Sequence, residues 1–314
     1  MRRFASLLLC PLLALGVLAG CGNSESTTEK AAAAGLPTVS GSYGDKPKVK
    51  ADAKKKPGKA IKSRVLVEGK GAKVAKGDLL VADYLGAIYA TNKVFDNSYD
   101  RGQPAGFEIG TGKVIKGWDE TLVGVKAGSR VLMVLPPAKG YGSKGNEQAG
   151  IKGTDSLVFV VDVIASYSKG DKAAGTATPV TGLPAALPKV EGAVGTKPKV
   201  TVAAGTTPPT KPQVTVVAEG SGPAVAKGKL AIVQFEAVNF AGKPVGSTWE
   251  VGLPQGFPVG VEGSPSPFDD LAGVPVGSRV LLLLPAQQGQ DPKKESVAVA
   301  IDLIAVHGPA KESA

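Results

Sequence analysis

The sequence predicts an α+β protein made of two tandem copies of one unit. Three observations predict it: short runs of β-branched and aliphatic residues bounded by Gly or Pro, a single segment of helical periodicity, and a long internal repeat. Leu36 to Val49 matches Leu187 to Val200 at an offset of 151, with nine of 14 positions identical. At the same offset Lys76-Gly77-Asp78-Leu79 faces Lys227-Gly228-Lys229-Leu230, and further on Gly128-Ser129-Arg130-Val131-Leu132 recurs as Gly277-Ser278-Arg279-Val280-Leu281. A period this long means tandem domains, not a solenoid.

In chain order, residues 1–20 come first. Arg2 and Arg3 precede the apolar run Leu7 to Leu18, which is too short to span a bilayer as a helix. The run ends in Leu18-Ala19-Gly20-Cys21, which resembles the lipobox of bacterial lipoproteins. That resemblance implies a signal peptide over 1–20, a lipid on the Cys21 thiol, and an extracytoplasmic protein anchored to the membrane without spanning it. Residues 21–35 lack apolar periodicity and read as a flexible tether, reaching about 20 Å. Cys10 and Cys21 are the only cysteines, so the mature chain has no thiol for a disulfide, a metal or a nucleophile.

The first unit, 36–168, carries five strand signals: Val65–Val67, Leu79–Leu85, Phe107–Ile109, Val131–Leu135 and Leu157–Ile164. Ile115, Trp118 and Leu122 fall at i, i+3 and i+7 before Gly124, one face of a two-turn helix too short to stand alone. A sheet with one such helix lying on it is α+β, and a pocket forms in the gap between them. Residues 169–186 read as an Ala/Thr/Gly/Pro linker, 187–307 as the second unit, and 308–314 as a tail.

Charge is unevenly placed. Residues 36–168 hold 21 basic and 13 acidic side chains, and residues 187–314 hold 11 of each. Nine of the basic groups lie in 36–64, a lead-in read either as a solvated, self-repelling segment or as a strip that touches anionic headgroups or wall polymers. Nucleic acid is disfavoured, because no aromatic residues interleave the basic run.

Several chemistries are disfavoured by what is missing. The single histidine, His307, builds no metal site by itself, and there is no G-x-S-x-G. Gly110-Thr111-Gly112-Lys113 has neither the spacing nor the hydroxyl of a phosphate-binding loop and reads as a turn. No metal and no cofactor is expected.

The residues that remain resemble a known family. Tyr84, Phe95-Asp96, Arg101, Phe107, Val114-Ile115-Lys116-Gly117-Trp118, Gly128, Tyr141-Gly142, Ile151 and Phe159 occur in the order and approximate spacing of the FKBP-type peptidyl-prolyl cis-trans isomerases, over about residues 64–166. The resemblance implies an antiparallel β-sheet wrapped on one short α-helix in each copy. It implies Trp118 as the floor of a prolyl pocket, with Tyr84, Phe95, Phe107 and Phe159 as walls and Val114, Ile115 and Ile151 lining the substrate site. It implies that the Ile115 N–H and the Tyr141 hydroxyl meet substrate carbonyls, and that Asp96, held by Tyr84 and Arg101, is a polar wall and not a base. Proline-containing exported polypeptides become the expected substrates, and a macrolide a possible inhibitor. Ala105, where the family commonly has an aromatic, and Gly150 before Ile151 point to a weakened drug site. The alternative is a non-catalytic, peptide- or wall-binding lipoprotein.

The second copy departs much further. Phe235 stands at Tyr84, Val245 at Phe95, Gly246 at Asp96, Val251 at Arg101, Pro267 or Phe268 at Trp118, Gln290 at Tyr141 and Val299 at Phe159. It is expected to be a degenerate copy without activity, its pocket aromatics and polar groups gone.

Overall fold

The computed structural model describes residues 36–55, 57–261, 263, 265–286 and 295–312. The expected signal peptide, the tether, Cys21 and Gln290 lie outside the described residues. Among the described residues no helix is long and apolar enough to cross a membrane.

The first unit opens on a small hairpin, β1 (Thr38–Ser40) with β2 (Lys48–Lys50). A sheet follows: β3 (Lys62–Val67), β4 (Leu79–Ile88), β5 (Val94–Asn97), β6 (Ala105–Glu108), β7 (Arg130–Leu135) and β8 (Leu157–Tyr167), with helix α1 (Lys116–Leu122) between β6 and β7. The order is β3-β7-β8-β4-β5, with β6 also on β4, and every pairing is antiparallel. Unbroken apolar runs such as Leu157–Val161 mean that both faces of the sheet are covered. On the inner face Leu157, Phe159, Val161, Met133 and Leu80 pack around Trp118 and Leu122 of α1. On the outer face Leu132, Val134, Val158 and Val160 pack against Leu36, Val39 and Ala51 of the lead-in. Gly117 lets the helix lie close, since a Cβ there would fall 2.4 Å from the Leu135 side chain.

The lead-in therefore corrects the expectation of an extended, solvated segment. Its residues 36–51 are anchored by Arg130, which is 1% exposed. The guanidinium donates to Asp162 Oδ1 at 2.6 Å and Oδ2 at 2.7 Å, and to the carbonyls of Gly41 and Asp45 at 2.7 Å each. Planar, forked donors are suited to this task. Lysines that repel one another are thus carried on the exterior of a folded hairpin.

The second unit repeats this design. Within the segment read as a linker, β9 (Thr178–Pro179) joins the second sheet. A hairpin of β10 (Lys189–Glu191) and β11 (Lys199–Thr201) precedes β12 (Gln213–Glu219), β13 (Lys229–Asn239), β14 (Pro244–Ser247), β15 (Gln255–Val259), β16 (Arg279–Leu284) and β17 (Val297–His307). Their order is β14-β13-β17-β16-β12-β9, with β15 on β13. Arg279 grips Asp302 and the carbonyls of Gly192 and Thr196 as Arg130 grips its partners. The expected second helix is absent: a 3-10 turn, Asp269–Leu271, stands in its place. Pro267 disfavours the helical conformation of Ser266 before it, at the place where α1 begins in the first unit. The tail is not free either, because Ala310 is fully buried between the two units.

Candidate active site

A cavity of about 500 Å³ lies between α1 and the inner face of the first sheet. It is lined by Tyr84, Phe95, Asp96, Phe107, Lys113, Val114, Ile115, Trp118, Gly140, Tyr141 and Phe159. Trp118, on α1, is 4% exposed and makes edge-to-face contacts with Phe107 at 4.9 Å, Phe159 at 5.5 Å and Tyr84 at 5.6 Å between ring centroids. Strands bring those partners: Tyr84 from β4, Phe107 from β6, Phe159 from β8. Phe95 from β5 meets Phe159 edge-on at 5.7 Å. Gly86 makes that meeting feasible, since a Cβ there would lie 2.6 Å from the Phe95 ring and 2.8 Å from the Phe159 ring.

One side of the cavity is polar. The Tyr84 hydroxyl donates to Asp96 Oδ2 at 2.5 Å, while Arg101 donates to Asp96 Oδ1 at 2.7 Å and to the Tyr84 hydroxyl at 2.9 Å. Burial pushes the Asp96 carboxyl up, but the bonds from Tyr84 and Arg101 and the Arg101 charge outweigh it and hold the group below the ordinary carboxylate value. A carboxyl so stabilised as the anion is a poor proton acceptor and suits a fixed dipole. Burial and the bond to Asp96 push Tyr84 up to about 12, so its hydroxyl stays protonated. Tyr141 stands at the rim, 36% exposed, and burial with the Asp96 charge raises its pKa as well.

The remaining expected residues fall into place unequally. Val114 and Ile115 line the cavity, Ile115 as the residue that caps α1. Arg101 does not line it and acts through Tyr84 and Asp96. Ile151 is 3% exposed, packed in the core beside the cavity and not on its wall. Gly140, beside Tyr141, lines the cavity too, and sequence reasoning missed Lys113, which it read as part of a turn. It also missed Asp119, whose carboxylate accepts from the N–H of Gly110 and of Gly112 and so pins the loop that leads into α1. Asp119 directly follows Trp118, and an acidic residue in a first helical turn was the available signal. Among the described residues no group of His, Cys, Asp and Glu is placed to hold a metal.

The equivalent floor of the second unit is built from phenylalanines. Phe257 and Phe268 stack at 3.9 Å, and Phe235 lies 6.2 Å from Phe257. Asp269 accepts from the Gly260 N–H as Asp119 does from Gly110, which puts Phe268 and not Pro267 at the Trp118 position. The expectation that the aromatics are gone is corrected: three remain, packed on one another at the positions of Tyr84, Phe107 and Trp118.

Residues 70–164 match the family of FKBP-type peptidyl-prolyl cis-trans isomerases. An FK506-binding protein of Streptomyces anulatus is 36% identical over 98 residues, which are 31% of this chain and 79% of that protein. The chain belongs to the FKBP-type isomerase family. FK506-binding protein 2 of Dictyostelium discoideum is 41% identical over 92 residues, 29% of this chain and 68% of that one. A solved peptidyl-prolyl cis-trans isomerase from Pseudomonas syringae pv. tomato is 29% identical, covers 34% of this chain and 76% of its own, and has a TM-score of 0.31. The activity of the family is prolyl cis–trans isomerisation, and the matched residues are those of the first unit.

Proposed function

We propose that this FKBP-type chain isomerises X–Pro bonds of exported proteins in the pocket of its first domain, held at the outer face of the membrane by a lipid on Cys21. The export half of this reading rests on the lipobox-like Leu18-Ala19-Gly20-Cys21. The catalytic half rests on one observation: an open-mouthed cavity floored by Trp118, walled by aromatic rings, with one polar side built from Tyr84 and Asp96 and held by Arg101.

That chemistry suits the reaction. Amide resonance sets a rotation barrier of ~18–20 kcal/mol, although the two prolyl isomers differ by only ~0.5–1 kcal/mol. The twisted amide loses resonance and part of its charge separation, so a water-poor cavity favours it over the planar ground state. Catalysis is then differential binding of the rotated bond, with no covalent intermediate and no proton transfer. The prolyl ring lies on Trp118. The Ile115 N–H and the Tyr141 hydroxyl receive the flanking carbonyls, and Asp96 stays ionised as a fixed dipole. The second copy is a degenerate FKBP-like domain: Val245, Gly246 and Val251 replace Phe95, Asp96 and Arg101, and Phe268 replaces the tryptophan of the floor.

The deciding experiment is a prolyl-isomerisation assay of the full chain against Trp118→Leu. Turnover falling by about 100-fold, the scale of 3 kcal/mol of lost transition-state stabilisation, supports the pocket. Unchanged turnover in the variant removes catalysis from this cavity.

A further inference from the structure

The two units pack against each other as a pseudo-two-fold pair. Leu79 and Val81 of β4 lie in one buried cluster with Leu230 and Ile232, their counterparts in β13. The Tyr167 hydroxyl lies 2.5 Å from His307 Nε2, and these two residues end the equivalent strands β8 and β17. Each unit then sends the segment after its last strand across to the other. Gly170 donates to the Gly252 carbonyl at 2.8 Å, and in return Ala310 donates its N–H to Asp83 Oδ2 at 2.7 Å.

The return crossing meets a charge. Asp83 is fully buried in β4, one residue before Tyr84. Its other oxygen accepts from Ser98 Oγ at 2.6 Å, and the same Ser98 Oγ accepts the backbone N–H of Tyr84 at 2.9 Å. Ser98 also donates its N–H to the Tyr84 carbonyl at 3.0 Å. At the equivalent place in the second unit the residue is Gln234, neutral, while Thr248 bonds the Phe235 N–H as Ser98 bonds that of Tyr84. The carboxylate is therefore present only in the copy that has the Tyr84–Asp96–Arg101 wall, and the donor that faces it comes from the copy that lacks that wall. A buried carboxylate short of a donor moves until it finds one, because desolvation without compensation is costly.

We propose that the second domain positions the first domain's pocket: Ala310, Asp83 and Ser98 form a relay that fixes the backbone of Tyr84, and hence the Tyr84–Asp96–Arg101 side of the cavity. The inference rests on the reading of that cavity as the isomerase site. These are positioning residues, since none of them lines the cavity.

The test uses the full chain. Ala310→Pro deletes the N–H but sets its ring against Asp83 in a fully buried contact, so termination after His307, which removes the donor without adding a ring, is measured beside it. The expected result is a fall in kcat/KM of about tenfold, the scale of one hydrogen bond to a charged group. In a Trp249→Phe background Trp118 is the only tryptophan, and its emission shifts because Tyr84 packs on it. With Asp83→Asn added, no charge is stranded and the penalty of Ala310→Pro shrinks to less than about twofold. Should Ala310→Pro not fold, termination after His307 removes the segment and carries the same expectations. Equal losses with and without Asp83→Asn, or an unchanged kcat/KM and emission, overturn the relay. If Trp118→Leu keeps full turnover, the site reading fails instead, while the emission shift still reports whether the domains are coupled.

Discussion

Arg130→Met is the perturbation whose cost the structure sets most directly. Methionine keeps the apolar stem and deletes the guanidinium, which makes two bonds to Asp162 and one each to the Gly41 and Asp45 carbonyls. Asp162, fully buried, keeps only the Gly44 N–H and the Tyr99 hydroxyl. Stranding one partner of a buried pair costs about 3–5 kcal/mol, and the lost carbonyl bonds overlap with that cost instead of adding to it. We take about 4 kcal/mol, a large fraction of the ~5–15 kcal/mol that holds a domain together. At a urea m-value of about 2 kcal/mol/M, the midpoint drops by about 2 M. Trp118 emission in the Trp249→Phe background follows the first domain alone. The double variant Arg130→Met, Asp162→Leu removes both charges and recovers at least half of the loss, since an apolar pair in place of a buried ion pair is often neutral. The variant also reaches the pocket. Tyr99 and Asp100, held by Asp162 and Lys46, begin the 3-10 turn that ends in Arg101. Its kcat/KM therefore falls along with its stability. A midpoint drop below about 0.5 M, or a double variant no better than the single one, refutes the reasoning.

Three further outcomes follow from the site and the interface. Asp96 is held below the ordinary carboxylate pKa, so its contribution is complete above about pH 4 and lost only as pH falls through its lowered folded value; in a background of His307→Gln with Asp83→Asn, which removes the buried carboxyl whose pKa burial raises, kcat/KM is flat from about pH 5 to 8, and a titrating limb in that window contradicts the assignment. Burial lowers the His307 pKa, so the unfolded chain binds the proton first; wild-type thermal stability falls as pH drops from about 6.5 toward the folded value, and His307→Gln, measured by the same melting curves, does not share that fall. Ala105 opens β6, packed against the core beside the cavity, where the family commonly has an aromatic; Ala105→Phe is expected to tighten FK506 binding in calorimetry by about tenfold, and an unchanged Kd refutes a role for this position in the drug site.

The pocket was largely legible in the sequence, because each of its parts is a residue type with a single strong preference. A tryptophan at helical spacing with Ile115 and Leu122 buries that face of a helix, and aliphatic runs bounded by Gly and Pro form strands. Those local rules brought out α1 and the five main strands, and family spacing placed Tyr84, Phe95, Asp96, Phe107 and Phe159 around Trp118. What hid was whatever depended on partners distant in the chain. Arg130 and Asp162 were not read as a pair, although Arg130 opens an apolar strand, Asp162 interrupts another, and both recur as Arg279 and Asp302; that recurrence was the signal for a buried pair. Ile151 has the character of a wall residue, and only packing decided that it turns into the core. By itself the sequence determined the duplication, the strand pattern, and the loss of polar pocket groups from the second copy, because these are matters of spacing and residue type. Tertiary structure alone decided that the start of the basic lead-in folds as a hairpin, that three phenylalanines pack together in the second unit, and that Ala310 reaches Asp83 across 227 residues. Contacts of that length are set by which faces of two finished sheets meet, and no local periodicity encodes them.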